Sequence, residues 1–317
     1  MSKQFDVVGI GENATDTVIV VPKFPPYAGK TTFGKEMLSP GGQVASAVVT
    51  CRRLGLRAKY IGAVGDDFRA RIQMRDLENS GVDISDVFVR ENCPNQSAYI
   101  VIDESTGERT IFSHRPDCLK ISPDEITAEM ISNARMLHID GHDVAAVARA
   151  AQLARENGVE VAVDVDTIYH GFDQVLPFVD YLVASTEFPK SWTNERDPFR
   201  ALELIQREFG MKVAAMTLGA HGALALTEGR YAYSPAFVVN CLDTTGAGDV
   251  FHGAFCYGVL SGLSMEQTLE LSNAMAALNC KSLGARGGVR KVDDARQLIA
   301  TGERRGFEDF AERAAKA

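Results

Sequence analysis

Apolar and polar positions along this chain fall into two alternating rhythms. FDVVGIG, residues 5–11, is a short and nearly unbroken apolar run, the pattern of a strand buried on both faces. Val44 to Leu54 follows with helical spacing and stops at Gly55. AKYIGAVG predicts a second buried strand, and Phe68 to Asn79 a second helix that ends near Gly81. The alternation returns as an Ala-rich helix from Val144 to Asn157, closed by Gly158 and followed by the strand VEVAVDVD. It returns again as a helix from Phe199 to Phe209 running into KVAAMTLG. Such βα repetition predicts an α/β protein with a mostly parallel central sheet and helices on both of its faces.

Three stretches break this rhythm. TDTVIVV, KTTFGKEM and SAYIVIDESTGERTIFSH have the alternation of exposed strands, the last as a hairpin around the Thr106-Gly107 turn. Whole βα units separate them, so they meet only in three dimensions, as a small sheet beside the core. Residues 1–317 are therefore expected to form one domain, with segments of approximately 15–38 and 97–114 inserted as a lid. No internal repeat, low-complexity tract or linker interrupts the chain.

Composition narrows the function. The 317 residues are 45% hydrophobic, enough for one large core, and carry a net charge of −9, which disfavours nucleic acid and anionic membranes as partners. No leader pattern stands at the start and no apolar run approaches the ~18 residues of a membrane span, so a cytoplasmic protein is expected. Cys51, Cys93, Cys118, Cys241, Cys256 and Cys280 are far apart and lack metal-ligand spacing; reduced, mostly buried thiols are expected.

Two motifs mislead. VVGIGENA fits GxGxxA, but a dinucleotide site needs a helix straight after the glycines, and here a β-branched run follows. That demotes a dinucleotide-dependent oxidoreductase. AGKTT at Ala28 to Thr32 has Phe24 where a triphosphate loop needs glycine, and Pro22, Pro25 and Pro26 make it an exposed turn with Lys30 an ordinary surface lysine.

LDTTGAGDVFHGAF, residues 242–255, carries the chemistry. Gly246 and Gly248 free the backbone to aim successive N–H groups into one concavity, and the helix that follows adds its positive end, roughly half an elementary charge. Asp249 at the helix entrance could be a simple cap. Beside a bound phosphate it could instead accept the proton of an attacking hydroxyl, which points to phosphoryl transfer to an alcohol.

DTTGAGDVFHGAF resembles the C-terminal signature of the ribokinase-like (PfkB-type) carbohydrate kinases, and GGQVASAVVTCRRLG their N-terminal signature. GIGENATD, IGAVGDD, GERT, TLGAHGAL and NAMAALNC stand in the same order as in that family. The resemblance implies a ribokinase-like three-layer sandwich with a small β-sheet lid, and an ATP-dependent, magnesium-assisted kinase acting on a hydroxyl of a small sugar. It implies Asp249 as base, with Gly246, Ala247 and Gly248 as the anion hole. Asp16, Gly41, Gly42 and Gln43 would hold the sugar, with Arg109 of the lid. Thr217, Gly219, Gly222 and Asn273 would hold the nucleotide. Asp243, Thr245 and Gly287 resemble a monovalent-cation site that potassium would fill, and Glu187 is the one acid near the degraded magnesium motif in LVASTEFPK.

Departures from the family pattern fall mostly on substrate positions. Ser46 replaces an asparagine, and Asp166 and Thr167 stand where a DxNxR pattern is usual. Arg109, His114 and Arg115 make the lid basic, which leaves neutral and anionic sugars both open. A nucleoside kinase remains an alternative, with Phe33, Tyr99 and Phe112 as candidate base-stacking aromatics, and so does a non-catalytic sugar or nucleotide sensor. Exposed lid edges make a homodimer the expected assembly.

Overall fold

A computed structural model describes residues 3–316. The labelled elements run β1 (Phe5–Ile10), β2 (Ala14–Val21), β3 (Lys35–Gly41), α1 (Gln43–Arg53), β4 (Ala58–Ile61), α2 (Phe68–Asn79), β5 (Ser97–Asp103), β6 (Arg109–His114) and β7 (Ala134–Ile139). They continue as α3 (Val144–Glu156), β8 (Glu160–Val165), β9 (Tyr181–Ser185), α4 (Pro198–Phe209), β10 (Val213–Thr217), β11 (Ala223–Thr227), β12 (Arg230–Ser234), α5 (Ala247–Leu260) and α6 (Met265–Asn279).

Eight strands form the central sheet in the order β12-β11-β10-β9-β8-β7-β1-β4. It is parallel from β4 to β10, while the hairpin β11–β12 adds an antiparallel edge. The apolar runs are explained by double coverage. On β1, Val8 and Ile10 enter the core that packs against α3 and α4, whereas Val7 enters the opposite core with residues of α1, α2 and α5. Period-2 geometry sends neighbours to opposite faces, and helices cover both, so nearly every position on a strand is apolar. The three-layer architecture and mostly parallel sheet expected from the sequence are present.

The second sheet has the order β3-β2-β5-β6. The strand expected in KTTFGKEM starts only at Lys35 and runs on to Gly41. Lys30 to Phe33 stay exposed without strand pairing, in the proline-led loop. In this sheet Leu38, Thr17, Tyr99 and Phe112 lie in one cross-strand row. Asp16, one residue from Thr17, therefore faces the other way, with Val18, Ile100 and Ile102. Tyr99 and Phe112 thus stand on the outer face, turned away from Asp16.

One expectation is overturned. Cys93 and Cys118 form a disulfide, so the six cysteines are not all free. The two flank the β5–β6 hairpin, Cys93 before Ser97 and Cys118 after His114. A separation of 25 residues hides their closeness, because the hairpin folds the two stems together. Cys51, Cys241, Cys256 and Cys280 are free thiols.

Candidate active site

The glycine-rich loop leaves the first-turn amides of α5 uncapped for a local reason. Gly246 is the N-cap of α5 in the left-handed region, with φ of 72°, and a Cβ there would overlap the Ala285 carbonyl. Being glycine, it offers no side chain to the first-turn amides, and none caps them. Amides at this end of a helix have no intrahelical acceptor. Those of Gly248 and Asp249 are thereby left to an outside anion.

Ala285 joins this loop to the glycines expected to hold the sugar. A Cβ on Gly41 would sit 2.6 Å from Asp16 Oδ2 and 3.3 Å from the Ala285 methyl, while the Ala285 carbonyl abuts Gly246. The Asp16–Gly41 pair and the Gly246 loop therefore lie on either side of one residue. Gly42, at φ 91°, caps α1 against the Asn13 backbone, and Gln43 is the first residue of that helix. Asp16 is buried, and burial raises its pKa to about 7 against the opposing Ala98 amide, Arg286 and Arg69. Asp249 stands in the first turn of α5, its pKa raised to about 8 by burial and then by the neighbouring Asp164, with Arg109 opposing.

A cavity of about 410 Å³ opens on the other side of the loop. It gathers Thr217, Gly219, Gly222 and Asn273 with Ala247 and Gly248, so the expected nucleotide residues and two of the three anion-hole residues share one wall. Gly222 is at φ 101°, where a Cβ would overlap the Ser234 carbonyl. Asn273 is buried, and its amide donates to the Ser234 carbonyl at 2.9 Å and to Ser234 Oγ at 3.1 Å; it braces the turn that lines the cavity. Arg109, expected on the sugar side, reaches across to the Thr244 hydroxyl and lines this same cavity.

The acids beside Asp249 were not anticipated. Asp164 on β8 is buried, its pKa raised to about 8 by burial, and faces His252 Nδ1 at 3.3 Å. His252 bonds the Gly248 carbonyl at 2.7 Å, and burial lowers its pKa to about 4, so it is neutral. Asp140, after β7, accepts the Glu12 amide at 2.6 Å. Burial pushes its pKa up, but His142 and two backbone amides outweigh that and hold it below the ordinary value. His142 lies 3.5 Å from Glu12, and is raised to about 9 because Asp140 and Glu12 outweigh its burial; burial raises Glu12 itself to about 7. Arg115 is held by both oxygens of Asp143. The one signal available in sequence was an acid inside an apolar strand, as in VEVAVDVD. Gly11, in the GxGxxA decoy, makes room for the Asp140 carboxylate, and a strand follows it rather than a helix.

The metal expectations fare differently. Glu187 is exposed and paired with Lys190 at 2.9 Å in the first turn of its own short helix. No group of three or more His, Cys, Asp or Glu residues among the described residues could hold a metal ion. Around Asp243, Thr245 and Gly287 the carboxylate and carbonyl oxygens already accept hydrogen bonds, whereas the buried Thr245 hydroxyl has no partner.

A three-layer core, a flanking four-stranded sheet and a glycine-capped helix with an acid in its first turn define a ribokinase-like kinase. Residues 4–291 match the pfkB family carbohydrate kinase description, and the chain belongs to that family. It is 29% identical to the ATP-dependent ribose-1-phosphate kinase of Halopiger xanaduensis, over 88% of this chain and 93% of that one. It is 27% identical to the 5-dehydro-2-deoxygluconokinase of Bacillus subtilis, over 94% and 96%. The fold is shared with the ribokinase of Thermotoga maritima, at a TM-score of 0.80 and 21% identity over 94% of this chain and all of that one. It is shared too with Arabidopsis thaliana ribokinase complexed with ribose and ATP, at 0.76 and 20% over 95% of this chain and all of that one. No helix among the described residues is long and apolar enough to cross a membrane.

Proposed function

We propose that this enzyme transfers the γ-phosphoryl group of ATP to a hydroxyl of a small sugar or sugar derivative. The observation that carries the reading is the placement of Gly248. Its amide belongs to the unsatisfied first turn of α5, it lines the cavity with Thr217, Gly219 and Gly222, and the next residue is Asp249. Phosphates arriving from the cavity end at the amides. Asp249 then takes the proton of the sugar hydroxyl as that oxygen attacks the γ-phosphorus and ADP departs with the old bridging oxygen. Asp16 accepts hydrogen bonds from other sugar hydroxyls, and Gly41 and Gly42 let the sugar lie against backbone. Magnesium carried with the nucleotide would neutralise phosphate charge.

The β3-β2-β5-β6 sheet serves as the lid. Its exposed row of Leu38, Tyr99 and Phe112 pairs two copies of the chain into a homodimer. These aromatics face away from Asp16, which favours a sugar over a nucleoside. Purified protein is incubated with magnesium, ATP and a panel of neutral sugars, ribose 1-phosphate, 5-dehydro-2-deoxygluconate and nucleosides, following ADP and the phosphorylated product. ATP binding without transfer to any member would replace the kinase with a sensor.

A further inference from the structure

A buried amide stands where a monovalent cation was expected. Both carboxylate oxygens of Asp243 accept backbone N–H groups, Oδ1 from Thr245 and Oδ2 from Gly284, each at 2.8 Å. The Gly287 carbonyl accepts from Arg290 Nη1 at 3.3 Å. The Thr245 and Ala285 carbonyls accept from one nitrogen, Nδ2 of Asn279, at 3.1 and 3.0 Å. Asn279 ends α6 and is fully buried, and its own Oδ1 accepts the Gly288 amide at 3.0 Å. Every hydrogen-bonding atom of its side chain is used.

Those two carbonyls matter to the anion hole. Thr245 precedes Gly246 in the chain, and the Ala285 carbonyl is the atom against which Gly246 packs. A single side-chain nitrogen therefore clamps the hole's entry to the loop behind it. A cation held by the same carbonyls would compete with that nitrogen for their lone pairs. We propose that Asn279 is a positioning residue that fixes the anion hole by hydrogen bonding in place of a bound potassium ion, so that turnover needs no monovalent cation. The proposal rests on the kinase reading above.

Turnover of the unmodified enzyme is measured with magnesium and ATP in tetramethylammonium chloride, replaced stepwise by potassium chloride at constant ionic strength. A change of less than about twofold is expected; activation of about tenfold or more overturns the proposal. Asn279→Asp keeps the side-chain shape, removes both N–H donors and adds a negative charge beside two carbonyls. It should lose about tenfold to a hundredfold in turnover. Potassium or ammonium should restore most of it.

A second readout needs no catalysis. Thermal unfolding of the nucleotide-free protein should be indifferent to potassium in the unmodified enzyme, whereas potassium should raise the midpoint of Asn279→Asp. Asn279→Ala, which leaves the two carbonyls facing a small cavity, serves if Asn279→Asp does not fold. Potassium that neither reactivates nor stabilises the folded variant overturns the proposal. Absence of phosphoryl transfer by the unmodified enzyme would reject the kinase reading instead, and the unfolding measurements would still stand.

Discussion

Replacing Asp249 by asparagine removes one proton acceptor and leaves the amides of the anion hole in place. General-base help is worth about 10²–10⁴ in rate, so kcat should fall by at least ~10² while ATP affinity stays within about threefold. The raised pKa adds a second, quantitative signature. With a value of about 8, the carboxylate is ionised in roughly one molecule in a hundred at pH 6, one in ten at pH 7 and half at pH 8. The kcat/KM of the unmodified enzyme should therefore rise about fiftyfold between pH 6 and pH 8, and this limb should vanish in Asp249→Asn. Stability runs the other way. An acid whose folded pKa exceeds its unfolded value favours the fold most below the unfolded pKa, and that advantage is lost as pH rises through the folded pKa. The nucleotide-free protein should thus lose stability from about pH 4 to pH 8, and Asp249→Asn should lose less, as thermal unfolding at each pH would show. Turnover within a few-fold of normal in Asp249→Asn, or a rising pH limb that persists unchanged in the variant, would remove Asp249 from the base role.

Asp16→Ala should raise the apparent KM for sugar by about tenfold or more with little change in that for ATP, because its carboxylate lies on the Gly41 side of Ala285 and away from the nucleotide cavity; an unchanged sugar KM in steady-state assays would sink this assignment. Reducing the Cys93–Cys118 bridge, or replacing both cysteines by serine, reopens a 25-residue loop and should destabilise the protein by about 3 kcal/mol, read by denaturant unfolding with and without reductant. Cys241 and Cys280 both line the nucleotide cavity, so ATP should slow their alkylation, with mass spectrometry locating the label; equal labelling with and without ATP would place the nucleotide elsewhere.

Legibility followed the range of the forces involved. The helix Phe68–Asn79 matches its sequence boundaries because Asp67 caps it through the Ala70 amide and Gly81 stops it, both local effects. The Gly246–Asp249 entrance was legible for the same reason. The Cys93–Cys118 bridge was not, since the hairpin between the two cysteines has first to fold. Asn279 was invisible as well: its three partners belong to Thr245, Ala285 and Gly288, and only tertiary packing brings their backbone groups to one side chain. Arg109 was read as a sugar ligand from its place in the lid hairpin, but its long side chain carries the guanidinium to Thr244.

Glu12, Asp16 and Asp164 each lie near enough to Asp249 for their charges to interact with it, and burial raises all four, to about 7, 7, 8 and 8. Burial penalises the ionised form of each, and like charges nearby add to the penalty, so these groups hold protons that an exposed carboxyl would have released. A polyol supplies hydroxyl donors, which favour ionised acceptors and lower their pKa values. Sugar binding should therefore release protons. At pH 7 Asp16 alone is about half protonated, so it should contribute up to about half a proton per sugar bound. Calorimetric titrations of sugar in buffers of different ionisation enthalpy measure the number directly, and Asp16→Asn should subtract the Asp16 share. Proton uptake on binding, or heats independent of the buffer, would mean that these acids do not accept hydrogen bonds from the sugar.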